Sequence, residues 1–114
     1  MTTTLLLDAV GPQLRTGQDA MDLIATTFVE GGADTIVVPV ERLDPDFFRL
    51  STGVAGEIVQ KFVNYRRRLV VLGDVSAQVD RSDAFRDWLR EANRGHDIRF
   101  VASPDELDGT FSPA

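Results

Sequence analysis

The chain has no cysteine in 114 residues. That absence removes disulfides, thiolate metal sites and thiol nucleophiles together. Histidine is nearly missing as well: His96 stands alone, just after Gly95 in an expected turn and away from the edge where ligands gather. Lysine is reduced to Lys61, in the middle of an expected helix. A phosphoacceptor receiver domain needs paired acids after its first strand and a lysine late in the chain, so this distribution argues against one. Long apolar runs are also absent. None approaches the ~20 residues that span a bilayer, and the opening Met1–Gly11 has three leucines but no basic residue, unlike a secretory signal. A cytoplasmic location without membrane attachment is the expectation. Basic charge is in deficit, with 12 Lys and Arg against 18 Asp and Glu and a net charge of -6. Polyanion binding depends on a basic surplus, so nucleic acid is not an expected partner.

What remains is a foldable composition, 43% hydrophobic and 26% charged, too apolar for a disordered chain. The length suits one domain, 1–114, with frayed ends at 1–3 and 112–114. The basic triplet Arg66-Arg67-Arg68 falls between a helix and a strand, where cations complement the helix C-terminal dipole.

The periodicity alternates along the chain. Thr4–Leu7 reads as a strand, ended by Gly11-Pro12, with Gln13–Arg15 as a short return. Thr16 and Asp19 make a capping box, and Met21, Ile24, Ala25 and Phe28 mark the inner face of a helix stopped by Gly31-Gly32. Ile36–Val40 is a continuous apolar run of strand type, with Pro39 best placed at its end. Asp44 and Pro45 start one helical turn. A second helix opens at Ser51-Thr52-Gly53, with Ala55, Ile58, Val59 and Phe62 facing inward. Leu69–Leu72 is the next strand. Ser82 caps a third helix whose inner face is Phe85, Trp88, Leu89 and Ala92, and Gly95 is its expected left-handed cap. Ile98–Val101 is the last strand, and Ser103-Pro104-Asp105-Glu106 starts a short final helix. The order is β(β)αβαβαβα. It predicts an α/β domain with a mainly parallel central sheet flanked by helices on both faces.

The run from Asp44 to Tyr65, with Arg68–Asp74 and Glu91–Gly95, resembles a small bacterial family known as a domain of unknown function, DUF4180. The resemblance extends over roughly Gly11 to Leu107 and implies no activity. The strand, the loop ending Ser51-Thr52-Gly53 and the helix, followed by strand, helix and strand, are similar to the STAS fold of anti-sigma-factor antagonists. That likeness implies phosphorylation of Thr52 by a partner kinase; Leu50 stands where that family carries Asp.

Two functional classes follow. In the favoured one the domain is a non-enzymatic, STAS-like regulatory module without cofactor or metal. It presents Phe47, Phe48, Ser51, Thr52, Gly53, Gly56 and Glu57 to a protein partner, a second copy included. Two phenylalanines adjacent on one turn cannot both be expected to point fully inward. Thr52 can be a helix cap, or a cap and a phosphosite. Gly56 costs about 1 kcal/mol in a helix, which implies close approach of the domain's own sheet, a ligand or a partner. Glu57 can favour the helix dipole or act as an acid. In the alternative class, Asp44, Asp46, Asp74 and Ser76, with Glu41, Thr52 and Ser103, form a small-molecule or weak catalytic site beyond the carboxyl ends of the strands. A metal held there is less favoured than capping and turn roles for the same carboxylates. An enclosed cavity at that edge favours the second class; a flat apolar patch favours the first.

Overall fold

The computed structural model describes residues 4–29, 35–95 and 97–103. Four strands, β1 (Thr4–Leu6), β2 (Thr35–Pro39), β3 (Arg68–Leu72) and β4 (Ile98–Val101), pair in parallel in the order β1-β2-β3-β4. Helix α1 (Gly17–Val29) joins β1 to β2 and α2 (Val54–Asn64) joins β2 to β3. The β3–β4 connection carries two helices, α3 (Ser76–Arg81) and α4 (Asp83–Ala92). Between β2 and α2 run three 3-10 turns, Val40–Arg42, Pro45–Phe48 and Leu50–Thr52. The expected return strand at 13–15 is a single parallel bridge, Leu14 to Leu43.

The three expected strand runs therefore lie in one parallel sheet, with Pro39 as the last residue of β2. The helices depart from expectation in their distribution. When strands are added in sequence order, always in the same direction, right-handed crossovers put every helix on the same face. Ala20 and Ile24 of α1, Ala55, Ile58 and Phe62 of α2 and Phe85 of α4 accordingly share one core with Ile36, Val38, Leu69, Val71 and Ile98. The opposite face holds a small separate cluster of Val37, Val70, Val101 and Leu72, all from the sheet. Helices on both faces are thus not found among the described residues.

Two local expectations are also corrected. The inner face of α1 runs through Ala20 and Ile24, with Gly17 buried ahead of them; Met21 is half-buried and Ala25 exposed. Among the described residues positive φ occurs at Gly11, Gly53, Gly73 and Arg66 and not at Gly95; α4 ends instead on Asn93 in right-handed helical geometry. The side chain of Phe28, the Gly31-Gly32 stop, His96, the turn from Pro104 onward and the two termini lie outside the described residues.

The caps are as the sequence predicts. Thr16 Oγ1 accepts from the Asp19 N–H at 3.2 Å, and Asp19 Oδ2 accepts from the Thr16 N–H at 3.2 Å. Ser82 Oγ accepts from the Phe85 N–H at 3.1 Å. Helix α2 begins one residue after Gly53. No helix among the described residues is long and apolar enough to cross a membrane.

Candidate functional site

Parallel strands place all their carboxyl ends at one edge, and the connecting segments there determine what a ligand meets. Beyond β2 the chain does not enter a helix directly. Pro39 ends the ladder, and the 3-10 turns carry Val40 to Thr52 across the edge. Beyond β3, Gly73 takes a left-handed φ of +142°, and its Cα faces Val40: an added Cβ would lie 2.7 Å from Val40 Cγ2. Glycine is required there for close approach. It lets the turn leading to α3 pass directly over the start of the β2 turns.

Between these two connections lies a cavity of about 710 Å³. Val40, Leu43, Pro45, Phe48, Leu50 and Ala84 supply its apolar surface. Gln13, Ser51, Gln78 and Ser82 supply polar groups. The charged lining is Glu41, Arg49 and Arg81. Its size falls in the usual ligand-pocket range of roughly 300–1,000 Å³.

The apolar surface is backed by an aromatic cluster. Phe47 and Phe48 meet edge to face at 5.4 Å between centroids. Phe48 also packs on Phe85 at 5.5 Å and Phe47 on Trp88 at 6.0 Å. Phe100 closes the group against Phe85 and Trp88. Such contacts stiffen a wall as well as burying area. Phe47 is 0% and Phe48 8% exposed, so neither presents an outward surface, contrary to the expectation for adjacent phenylalanines. A 3-10 turn explains it: at about three residues per turn adjacent side chains diverge widely, and here Phe47 packs on Trp88 while Phe48 packs on Phe85.

The loop before α1 is tied to the same edge. Leu14 donates to the Arg42 carbonyl at 2.7 Å and accepts from Asp44 at 3.1 Å. The Arg42 guanidinium donates to the carbonyls of Pro12 at 2.7 Å and Asp8 at 2.9 Å. Gln13 Nε2 donates to the Glu41 carbonyl at 3.3 Å. Arg42 was not singled out from the sequence, because a lone arginine in an irregular segment has no periodic signature.

The acidic residues expected at this edge do not converge. Asp44 caps its turn by accepting from the Asp46 N–H at 2.9 Å and pairs with Arg15 at 3.5 Å. Asp46 faces Arg49 at 3.8 Å. Asp74 Oδ1 accepts from the Ser76 N–H at 2.9 Å. The Ser76 hydroxyl, then the Ser76 N–H, hold the Asp74 carboxyl below its ordinary pKa. None of Asp44, Asp46, Asp74 and Ser76 lines the cavity; Ser51 and Glu41 do. Gln78 and Arg81 were missed because the short helix α3 carries no strong apolar period, and Ala84 because it lies in the first turn of α4, off the apolar stripe of that helix.

Thr52 Oγ1 lies 2.8 Å from the Asp46 carbonyl and 2.7 Å from that of Arg49, to which its hydroxyl donates, and accepts from Val54 at 3.3 Å. Its hydroxyl joins two turns in addition to flanking α2. Gly53 adopts a left-handed φ of +79° as the residue ahead of α2. A Cβ at Gly56 would meet nothing within 4 Å, so the domain's own sheet does not require this glycine. Glu57 Oε1 accepts from the Gly17 N–H at 2.9 Å, which makes it a cap for α1.

The model of one protein family, a domain of unknown function (DUF4180), matches residues 1–111. No curated protein and no solved structure matches the chain.

Proposed function

The chain belongs to the DUF4180 family, and we propose that its domain binds a small organic molecule in the cavity beyond the carboxyl ends of β2 and β3. The observation that carries this reading is the cavity itself, about 710 Å³ with Val40, Leu43, Phe48 and Leu50 on its wall. A concave site of that size, with an apolar wall and a few polar groups around it, is the usual form of a small-molecule pocket. The inward packing of Phe47 and Phe48 supports it further, since rings committed to the wall cannot serve an external partner. Tyrosol, a neutral phenol with an apolar body, is a suitable first probe. Titrated into ¹⁵N-labelled protein, it should give saturable shifts at residues 40–51 and 78–84. Shifts spread without saturation over the surface, or absent there for tyrosol and for its charged analogues alike, would remove the reading.

A second reading, the STAS-like docking module, is favoured by one observation: the exposed side of Gly56 opens onto empty space. A glycine that costs about 1 kcal/mol in a helix and serves no internal neighbour suits close approach by another protein. Ser51, Thr52 and Gly53 are exposed beside it. Replacing Gly56 with Arg leaves the fold room for the side chain. A partner retained by the native protein in its own cells and lost with Gly56→Arg supports docking; identical partners for both proteins would dismiss it.

A further inference from the structure

We infer that the ligand of this cavity is a small organic carboxylate with an apolar body and an O–H or N–H donor; the inference rests on the cavity reading above. The charge on the lining is the first argument. The chain carries a net charge of -6, yet the cavity sets Arg49 and Arg81 against one acid, Glu41. Locally the sign is reversed. The Arg49 guanidinium faces Asp46 only at 3.8 Å, with its own side chain 74% exposed, a pair that solvent screens. Arg81 has no acidic partner within ion-pair distance among the described residues. Guanidinium donors match a carboxylate in a planar fork.

The second argument is Gln78. It lines the cavity, and its Oε1 is shielded from solvent without a hydrogen-bond partner among the described residues. A shielded acceptor left unpaired costs free energy. The terminal amide torsion is soft, so rotation can turn this oxygen toward the cavity, where a ligand donor would satisfy it. Gln78 and Arg81 are three residues apart on α3 and so share a face, about 5–6 Å between Cβ atoms. One molecule carrying both an anion and a donor can reach the two.

Four probes with one aromatic body test this: 4-hydroxyphenylacetate, phenylacetate, tyrosol and tyramine, each titrated into ¹⁵N-labelled protein. 4-Hydroxyphenylacetate should bind at least tenfold more tightly than tyrosol, and tyramine more weakly than tyrosol. Phenylacetate, without the phenol donor, should fall several-fold below 4-hydroxyphenylacetate. Arg81→Gln, at an exposed side chain that leaves the fold intact, should abolish the advantage of the acid over tyrosol. Gln78→Leu should abolish the difference between the two acids. Tyramine binding as well as the acid, or an unchanged ranking in Arg81→Gln, would overturn the carboxylate assignment while leaving the cavity reading in place. Equal binding of the two acids to the native protein would overturn the donor requirement. Failure of all four probes at residues 40–51 and 78–84 would overturn both readings.

Discussion

Glu57 belongs to α2 but acts on α1. Its carboxylate takes the Gly17 N–H at 2.9 Å, one of the first-turn donors that a helix cannot satisfy internally. A side chain at Gly17 would meet that of Glu57, its Cβ 2.8 Å from Glu57 Cγ, so the carboxylate would have to move off the Gly17 N–H. Glu57→Ala should therefore cost about 1 kcal/mol of stability, and Glu57→Gln much less, because the amide oxygen still accepts. Gly17→Ala should cost a similar amount, since the new methyl displaces the carboxylate. Chemical denaturation of the three variants measures it, and Glu57→Ala with native stability would contradict the cap. Asp74 gives a pH-dependent counterpart. Its pKa is lowered in the fold by Ser76, so its contribution is present above the unfolded value near pH 4 and is lost as acid protonates the folded carboxyl. The difference in melting temperature between the native protein and Asp74→Ala should be larger at pH 7 than at pH 2.5. The Thr16–Asp19 box and the Ser82 cap were legible in the sequence because donor and acceptor lie within one turn. The Glu57–Gly17 contact was not, because the partners are 40 residues apart and only the α1–α2 packing brings them together.

Among the elements, the irregular ones shape the site. The two central strands, β2 and β3, are readable from their continuous apolar runs, the edge strand β4 from Ile98, Phe100 and Val101, and α4 from a single apolar stripe. Helix α1 is ambiguous by one position: Ile24 is on the inner face either way, and packing against α2 buries Ala20 rather than Met21 and Ala25. The turns after β2 have no period at all, and side-chain ties fix them. Thr52 is the clearest case, with its hydroxyl against the Asp46 and Arg49 carbonyls. Thr52→Ala should cost about 1–2 kcal/mol, and Thr52→Ser only a fraction of that. Thr52→Glu should cost more than Thr52→Ala, because it sets a negative charge against two carbonyl oxygens. A phosphate there would act in the same direction, against the turn itself. Urea melts of the three variants test the order, and Thr52→Glu as stable as the native protein would contradict it. Gly73 matters in the same way for the opposite wall. Its φ of +142° and the 2.7 Å approach of Val40 Cγ2 mean that Gly73→Ala should destabilise by about 1–3 kcal/mol. The same substitution should shift the amide resonances of Val40 and Glu41.

At the scale of the whole molecule, the strand order decides where chemistry can occur. Strands added in one direction leave no point at which the crossovers change sides, so the crevice typical of reversed orders is not generated by topology. The cavity is formed instead by the long turn segment after β2 meeting α3 after β3, and this is why the edge was legible from the sequence but its lining was not. The same geometry distributes the acids. Asp44 and Asp74 leave from neighbouring strands at one edge, yet each is turned to its own backbone by a local hydrogen bond. Asp46 is directed toward Arg49. Among the described residues no three metal-ligating side chains come together. A hard divalent cation needs several oxygen ligands at once, and recruiting these carboxylates would require breaking the turns that they hold. Melting temperature should therefore be the same in EDTA and in millimolar Mg²⁺. The informative controls are Asp44→Asn and Asp74→Asn, which keep an acceptor for each turn while removing the charge. A rise of several degrees with Mg²⁺ that either substitution abolished would show the carboxylates leaving their turns for a metal, and would move the chemistry of this edge from the cavity to the acids beside it.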